Sequence, residues 1–302
     1  LRGDRPDFPQ LVISVGGALV SRMLKEYLRT IPDKDDLMHW SVGYNHTTID
    51  CFKCLTATIV CDPGLFISRL SAEMAHIIKT RGYQSLASGY AEKINSDRSQ
   101  AITRIDREIE GCRWCEAKAF KSILELIPHK DNVCISNGTS IRYTQLFTRR
   151  LQHAQYCNRG VSGIDGSTST AVGISLGYKG KTWLITGDMS LTYDTNGLDA
   201  ARQLDPRLNI VVINNRGGGI FRFIKSSRDL EIREKMLSGG DLPSVPGYAQ
   251  LYDFDYYRAE CESDLEKALT DIIMTGRRSL LEIVCDPEYS ASVLCGLLRP
   301  RK

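Results

Sequence analysis

The sequence predicts an α/β fold: two three-layer units whose sheets are mostly parallel. Three observations carry this. Short apolar runs of strand length alternate with segments of helical period along the whole chain. Such alternation implies parallel strands joined by crossover helices on both faces. A polar, weakly periodic stretch at 81–109 separates residues 1–80 from residues 110–302. Finally, 302 residues exceed the usual single domain, and 42% hydrophobic with 25% charged residues is the composition of ordinary globular cores.

In the first unit, 11–15 reads as a short buried strand. After Gly16 and Gly17 a helical pattern follows, with Leu19, Met23, Leu24, Tyr27 and Leu28 along one side. A polar break at 32–36 precedes strand-like runs at 38–42 and 55–61. Asp62 and Pro63 then form a helix start, an N-cap followed by a proline at the first helical position, with Leu65, Phe66, Leu70, Met74 and Ile77 as the apolar face. The stretch 81–109 is read as a linker that carries some helix.

The second series opens with a helix around 112–126, a strand at 132–135, a helix from Ile141 and a short strand at 154–157. Further strands are expected at 183–186, 210–214, 256–259 and 280–285, separated by helical patterns at 169–177, 198–204 and 264–275. In sheets of this kind ligands bind where the loops gather, at the carboxyl ends of the strands.

Composition narrows the function classes. A net charge of +3 from 39 basic and 36 acidic residues provides no sustained basic face for nucleic acid. Apolar runs such as 210–213 fall far short of the roughly 20 residues that cross a bilayer, and no signal peptide opens the chain, so a cytoplasmic protein is expected. The ten cysteines are scattered, with Cys61, Cys134 and Cys285 in apolar strand runs, which suits a reducing compartment. Cys51/Cys54 and Cys112/Cys115 are C-x-x-C pairs, but the 58 positions between Cys54 and Cys112 lie outside zinc-ribbon spacing. Leu1, followed closely by a strand, suggests a chain that starts inside a longer protein.

The strongest chemical signal is Gly187-Asp188 directly after one strand and Asn214-Asn215 directly after the next, with 27 positions from Asp188 to Asn215. A strand, a crossover helix and a second strand need about that length, so both polar ends should emerge side by side. Their oxygens can share one hard cation, and magnesium usually completes its octahedron with phosphate oxygens, so a diphosphate is expected there too. Gly217 and Gly218 allow a sharp turn, which makes the Gly217 carbonyl a third candidate ligand. Either dipeptide alone would read as a turn ending a strand. The joint position on consecutive strands favours the ligand reading.

This pairing resembles the thiamine diphosphate motif, G-D-x followed some 25 residues later by N-N. Three runs narrow the resemblance: 158–166 (Asn-Arg-Gly-Val-Ser-Gly-Ile-Asp-Gly), Gly187-Asp188-Met189-Ser190 with Asp194, Asn196, Gly197 and Leu198, and 214–221 (Asn-Asn-Arg-Gly-Gly-Gly-Ile-Phe). Together they are similar to the family of 2-succinyl-5-enolpyruvyl-6-hydroxy-3-cyclohexene-1-carboxylate synthases. The resemblance implies that residues 1–80 are part of a transhydrogenase-like middle domain and 110–302 the diphosphate-binding domain. It implies thiamine diphosphate with Mg2+ or Mn2+, 2-oxoglutarate and isochorismate as substrates, loss of carbon dioxide, and a homo-oligomer, dimer or tetramer, without nucleic acid or membrane span. Asp188, Asn215 and Gly217 would bind the metal. Gly163, Ile164, Asp165, Gly187, Asp188, Met189, Ser190, Asn215, Gly217, Gly218, Ile220 and Phe221 would contact the cofactor. Arg142 and Arg159 match arginines with which the family holds substrate carboxylates, for which a forked guanidinium is suited, and Arg22 matches a third.

The chain departs from the family pattern at several places. Met189 stands where most of the superfamily has glycine, though this branch often has leucine or methionine. Gly138 replaces an expected substrate-contacting serine, with Ser140 or Asn137 as candidates to compensate. Arg216 takes a variable position outside the expected metal shell. The family's activating glutamate belongs to an N-terminal pyrimidine-binding domain absent from these 302 residues. No catalytic residue is therefore assigned, and the chain alone is expected to be inactive. Two other readings stay open: a noncatalytic diphosphate-binding module built around Gly16, and a carboligase resembling acetolactate synthase.

Overall fold

A computed structural model describes residues 9–17, 19–30, 37–47, 49–81, 87–147, 153–224, 226–239 and 242–298. The polar break read at 32–36 lies outside them. The chain divides into two compact units, Leu1–Arg104 and Ile105–Lys302.

The first unit contains β1 (Leu11–Val15), α1 (Arg22–Arg29), β2 (Met38–Gly43), β3 (Leu55–Val60), α2 (Pro63–Arg81) and most of α3 (Ala87–Glu110). Its three strands are parallel in the order β1-β2-β3. Asp62 caps α2 as the sequence predicts, its Oδ1 accepting the backbone N–H of Leu65 at 2.7 Å, and Pro63 is the first helical residue. The apolar faces differ from expectation. Leu28 of α1 is buried with Leu37 and Phe52, whereas Met23, Leu24, Tyr27, Leu65, Met74 and Ile77 are exposed. Helical period selects which residues share a face, but burial needs a second surface, and α2 buries no residue among the described ones. The stretch read as a linker holds α3, 24 residues long.

The second unit runs α4 (Glu116–Leu126), β4 (Asn132–Ile135), α5 (Ser140–Phe147), β5 (Gln155–Tyr156), α6 (Ser167–Leu176), β6 (Thr182–Gly187), α7 (Asp188–Tyr193), α8 (Thr195–Leu204), β7 (Leu208–Asn214) and α9 (Gly219–Phe223). A π-helical turn (Arg233–Leu237), α10 (Val245–Leu251), β8 (Asp255–Ala259), α11 (Glu262–Met274), β9 (Ser279–Val284) and α12 (Pro287–Leu297) complete it. All six strands are parallel, in the order β5-β4-β6-β7-β9-β8.

Strand alternation sorts the core into two layers. Val133, Ile135, Trp183, Ile185, Val211 and Ile213 pack with α4, α5, α11 and α12, while Cys134, Leu184, Ile210 and Val212 pack with α6, α7, α8 and α10. This is the three-layer arrangement, and strands covered on both faces read as continuous apolar runs. Trp183 is fully buried and donates its indole N–H to Asp131 at 3.0 Å. Truncating so enclosed a ring typically costs about 3 to 5 kcal/mol.

The strand order places the site. From β4 the chain moves outward one way to β5, then returns past β4 and proceeds the other way through β6 and β7. The switch point lies between β4 and β6, and a crevice opens at the carboxyl ends of strands that diverge in this way. The segments after β4, β5, β6 and β7 contain Asn137 and Arg142, then Arg159 to Asp165, then Asp188, then Asn215 to Gly218.

Candidate functional site

Asp188 and Asn215 follow adjacent strands in register, Gly187 opposite Ile213, and both side chains are buried. Asp188 is the first residue of α7, so its carboxylate meets backbone N–H groups still lacking helical partners. Its Oδ1 accepts from Met189 N at 2.7 Å and its Oδ2 from Gly217 N at 2.7 Å. Burial raises its pKa above the ordinary carboxylate value, and these N–H bonds and the Arg222 guanidinium pull the other way.

The turn after β7 is built from left-handed residues: Arg216 at φ 60°, Gly217 at 77° and Gly218 at 38°. Gly217 has no room for a side chain. A Cβ there would lie 1.7 Å from the Ser238 carbonyl oxygen. The backbone of 238 thus packs directly on the turn, leaving a cradle with donors of one kind: a carboxylate, an amide side chain and a carbonyl. Hard oxygens of this sort suit a magnesium-like cation.

Two buried charged residues that the sequence analysis did not single out hold this turn. The Arg222 side chain, 1% exposed, donates from Nη1 to the carbonyls of Asn215 (3.1 Å) and Gly217 (2.7 Å) and from Nη2 to that of Arg216 (3.3 Å). Its charge is met by Glu234 at 2.5 Å and Glu288 at 3.6 Å. A carbonyl has two lone pairs, so the Gly217 oxygen keeps one acceptor site beside the guanidinium. Glu116, the first residue of α4, accepts the Asn215 side-chain N–H at Oε1, 2.7 Å away. Enclosure pushes the Glu116 pKa up to about 7, and the neighbouring Asp188 adds to the rise. Asn214 is treated likewise, its Nδ2 donating to the buried Glu282 at 2.5 Å. Glu116 and Arg222 left little trace in the sequence. An acidic residue in a first helical turn and an arginine between two phenylalanines both read as surface.

Asn137 ties several of the other predicted residues together. Its Nδ2 donates to the carbonyls of Asn158 and Gly163, each at 2.7 Å, and its Oδ1 accepts from Arg159 Nη1 at 2.6 Å. This side chain stitches the loop at 158–166 to the end of β4. Ser190 Oγ donates to the Ile164 carbonyl, so the same loop is tied to α7. Met189 lies against Gly239, where a Cβ would come within 2.4 Å of its methyl. Gly163, Ile164, Met189, Ile220 and Phe221 are half-buried, and Asp165 is exposed. Arg142, on α5, donates to the Gly138 carbonyl. Burial lowers its pKa, and the nearby Arg159 adds to that. Two guanidiniums held so close favour an anion between or beside them. Gly138, in place of the expected serine, adopts φ 100°. Asn137 is committed to the loop, and Ser140 is buried in the first turn of α5. Arg22 belongs to the first unit, where it pairs with Glu26 at 2.6 Å.

Comparison with known proteins places relatives beside the chain. Residues 136–283 match the family model described as thiamine pyrophosphate enzyme, C-terminal TPP binding domain. The chain is 34% identical over 294 residues to a 2-succinyl-5-enolpyruvyl-6-hydroxy-3-cyclohexene-1-carboxylate synthase of Porphyromonas gingivalis, covering 95% of this chain and 49% of that protein. It is 31% identical to the protein of the same name from Flavobacterium psychrophilum (95% and 50% covered) and 29% identical to that from Phocaeicola vulgatus (95% and 48%). The chain therefore spans about half the length of the curated relatives it matches. With a match to a thiamine pyrophosphate-binding domain over the parallel sheet and similarity along nearly all of its length, the chain fits a C-terminal fragment of a 2-succinyl-5-enolpyruvyl-6-hydroxy-3-cyclohexene-1-carboxylate synthase.

Proposed function

We propose that this chain supplies the diphosphate- and metal-binding part of an enzyme that joins 2-oxoglutarate to isochorismate with loss of carbon dioxide. The observation that carries the reading is the tie between Asp188 and Gly217, which brings an aspartate, an asparagine and a left-handed glycine turn together at the ends of β6 and β7. On this reading Asp188, Asn215 and the Gly217 carbonyl hold Mg2+ or Mn2+, and the metal anchors the diphosphate. Gly187, Met189, Ser190, Gly218 and the loop at Gly163, Ile164 and Asp165 surround the same cofactor. When bound, thiamine diphosphate supplies the electron sink that decarboxylation and carbon–carbon bond formation require.

The protein's own contribution is positioning and charge. Arg142 and Arg159 bind carboxylates of the two acidic substrates. A forked guanidinium fixes both the charge and the plane of a carboxylate. Ile220 and Phe221 present apolar surface that limits water around the reacting carbon, and Arg22 is a further candidate for substrate binding. The family resemblance extends the proposal to a homo-oligomer working in the cytoplasm. Among the described residues, no helix is long and apolar enough to cross a membrane.

The test is calorimetric binding of thiamine diphosphate to the full-length enzyme, with and without magnesium, for the wild type and Asp188→Ala. Retention should need the metal and vanish in the variant while the fold persists. Unchanged metal-dependent binding by Asp188→Ala would refute the site. Turnover with pyruvate but not with 2-oxoglutarate and isochorismate would replace the proposed substrates.

A further inference from the structure

We infer that Glu116 is a positioning residue of the proposed metal site: its carboxyl engages the amide nitrogen of Asn215, so that the amide oxygen is the end presented to the cation. The inference rests on the reading of Asp188 and Asn215 as metal ligands.

The two ends of an asparagine amide are nearly identical in shape, and what each end touches decides which way it faces. An asparagine reversed at this position would offer a cation two N–H donors instead of an oxygen. Here Asn215 Nδ2 lies 2.7 Å from Glu116 Oε1, with both residues buried, at 4% and 3% exposure. Glu116 Oε1 is an acceptor in either protonation state, provided that any proton sits on Oε2, and Oε2 is buried without a hydrogen-bond partner among the described residues. Amide geometry then turns Asn215 Oδ1 away from Glu116. The carboxyl is held in place by its helix: the Glu116 backbone N–H donates to Ser290 Oγ at 3.2 Å, fixing the first turn of α4 against α12.

A purely structural role accounts poorly for this side chain. Burying a carboxyl is costly, and an apolar residue of similar size would fill the space at lower cost. Its hydrogen bond to Asn215 is the one that orients the proposed ligand. Partners that orient metal ligands in this way commonly change metal affinity by 10- to 100-fold.

The test titrates Mg2+ into the full-length enzyme by calorimetry, in the presence of thiamine diphosphate, for four variants. Glu116→Gln keeps an oxygen at the Oε1 position and should bind magnesium within about threefold of wild type. Glu116→Asp keeps the charge but draws the carboxyl back by one methylene, and Glu116→Leu removes the acceptor. Both should bind about tenfold or more weakly. A role based on charge or on general stability would give the opposite ranking of the glutamine and aspartate variants, and that ranking would overturn the inference. So would wild-type affinity in Glu116→Leu. If the leucine variant fails to fold, glutamine against aspartate still decides. Asp188→Ala separates the two levels of argument. Loss of magnesium there with no effect at position 116 removes the role of Glu116 alone, whereas unchanged binding by Asp188→Ala overturns the metal site and this inference together.

Discussion

The backbone N–H of Gly217 donates to Asp188 Oδ2 at 2.7 Å, so the turn after β7 is hydrogen-bonded to the residue that follows β6. The contact needs Gly217 at φ 77°, with its missing side chain directed at the Ser238 carbonyl. Gly217→Ala would place a methyl group 1.7 Å from that backbone oxygen, and backbone cannot rotate aside as a flexible side chain can. The variant should lose at least about 2 kcal/mol of stability from the left-handed strain and the displaced turn. Metal-dependent cofactor binding should be lost as well. Urea unfolding and magnesium calorimetry check both, and wild-type behaviour in both would mean that the turn can be rebuilt elsewhere.

The Arg222 fork spans three consecutive carbonyls of this turn. Arg222→Met should leave them unpartnered at about 1 kcal/mol or more each, giving a loss of about 3 kcal/mol. Its partners Glu234 and Glu288 are 53% and 62% exposed and would simply rehydrate. Arg222→Lys retains the charge but not the planar set of donors, so it should recover only part of the loss. Denaturant midpoints for the pair decide the matter: full recovery by lysine would show that charge alone holds the turn.

Much of the second unit was legible because its strands are covered on both faces. Runs such as 183–185 and 210–213 are continuously apolar, and that pattern survives any detail of packing. The short helices α7 and α9 were hidden, since the first begins at Asp188 itself and the second inside a glycine run that looks like loop. Helix α12 starts with Asp286 and Pro287, the same device as Asp62 and Pro63, and could have been found. Asp188 and Asn215 stood out through their spacing. Glu116 and Arg222 did not, because a charged side chain is buried by tertiary packing, which local sequence does not encode.

Arg142 and Arg159 test the substrate reading. Replacing either with alanine should lower kcat/KM by about 2 to 4 kcal/mol in transition-state stabilisation. The two should not be equivalent. Arg159 also donates to Asn137 at 2.6 Å, so its loss loosens the loop at 158–166, and weaker cofactor binding should accompany the kinetic effect. Arg142 donates to the Gly138 carbonyl on its own side of the crevice and should affect substrate parameters alone. Steady-state kinetics with both substrates, together with cofactor calorimetry, would check this. Wild-type kinetics in either variant would return that arginine to an ordinary structural role.

Glu116 should also make stability depend on pH in a defined direction. Its folded-state pKa is raised from 4.5 to about 7, chiefly by burial. Between those values the folded chain therefore binds more protons than the unfolded chain, and stability must fall as pH rises. The contribution is fully present below about pH 4.5 and is lost by about pH 7, a span worth on the order of 3 kcal/mol at about 1.4 kcal/mol per unit for a fully buried group. Asp188, also raised by burial, acts in the same sense, whereas carboxylates with lowered values, such as Asp50 and Glu234, act oppositely. The wild-type curve alone is therefore a mixture, and the informative quantity is its difference from Glu116→Gln. That variant is fixed in the neutral form. In chelator-treated, metal-free enzyme the two proteins should be about equally stable near pH 4, with the glutamine variant pulling ahead as pH approaches 7.5. Urea midpoints at half-unit pH steps measure the gap. A difference that stays flat across the window would mean that the Glu116 carboxyl is already ionised well below neutrality, and that Asn215 is held by a charged rather than a neutral partner.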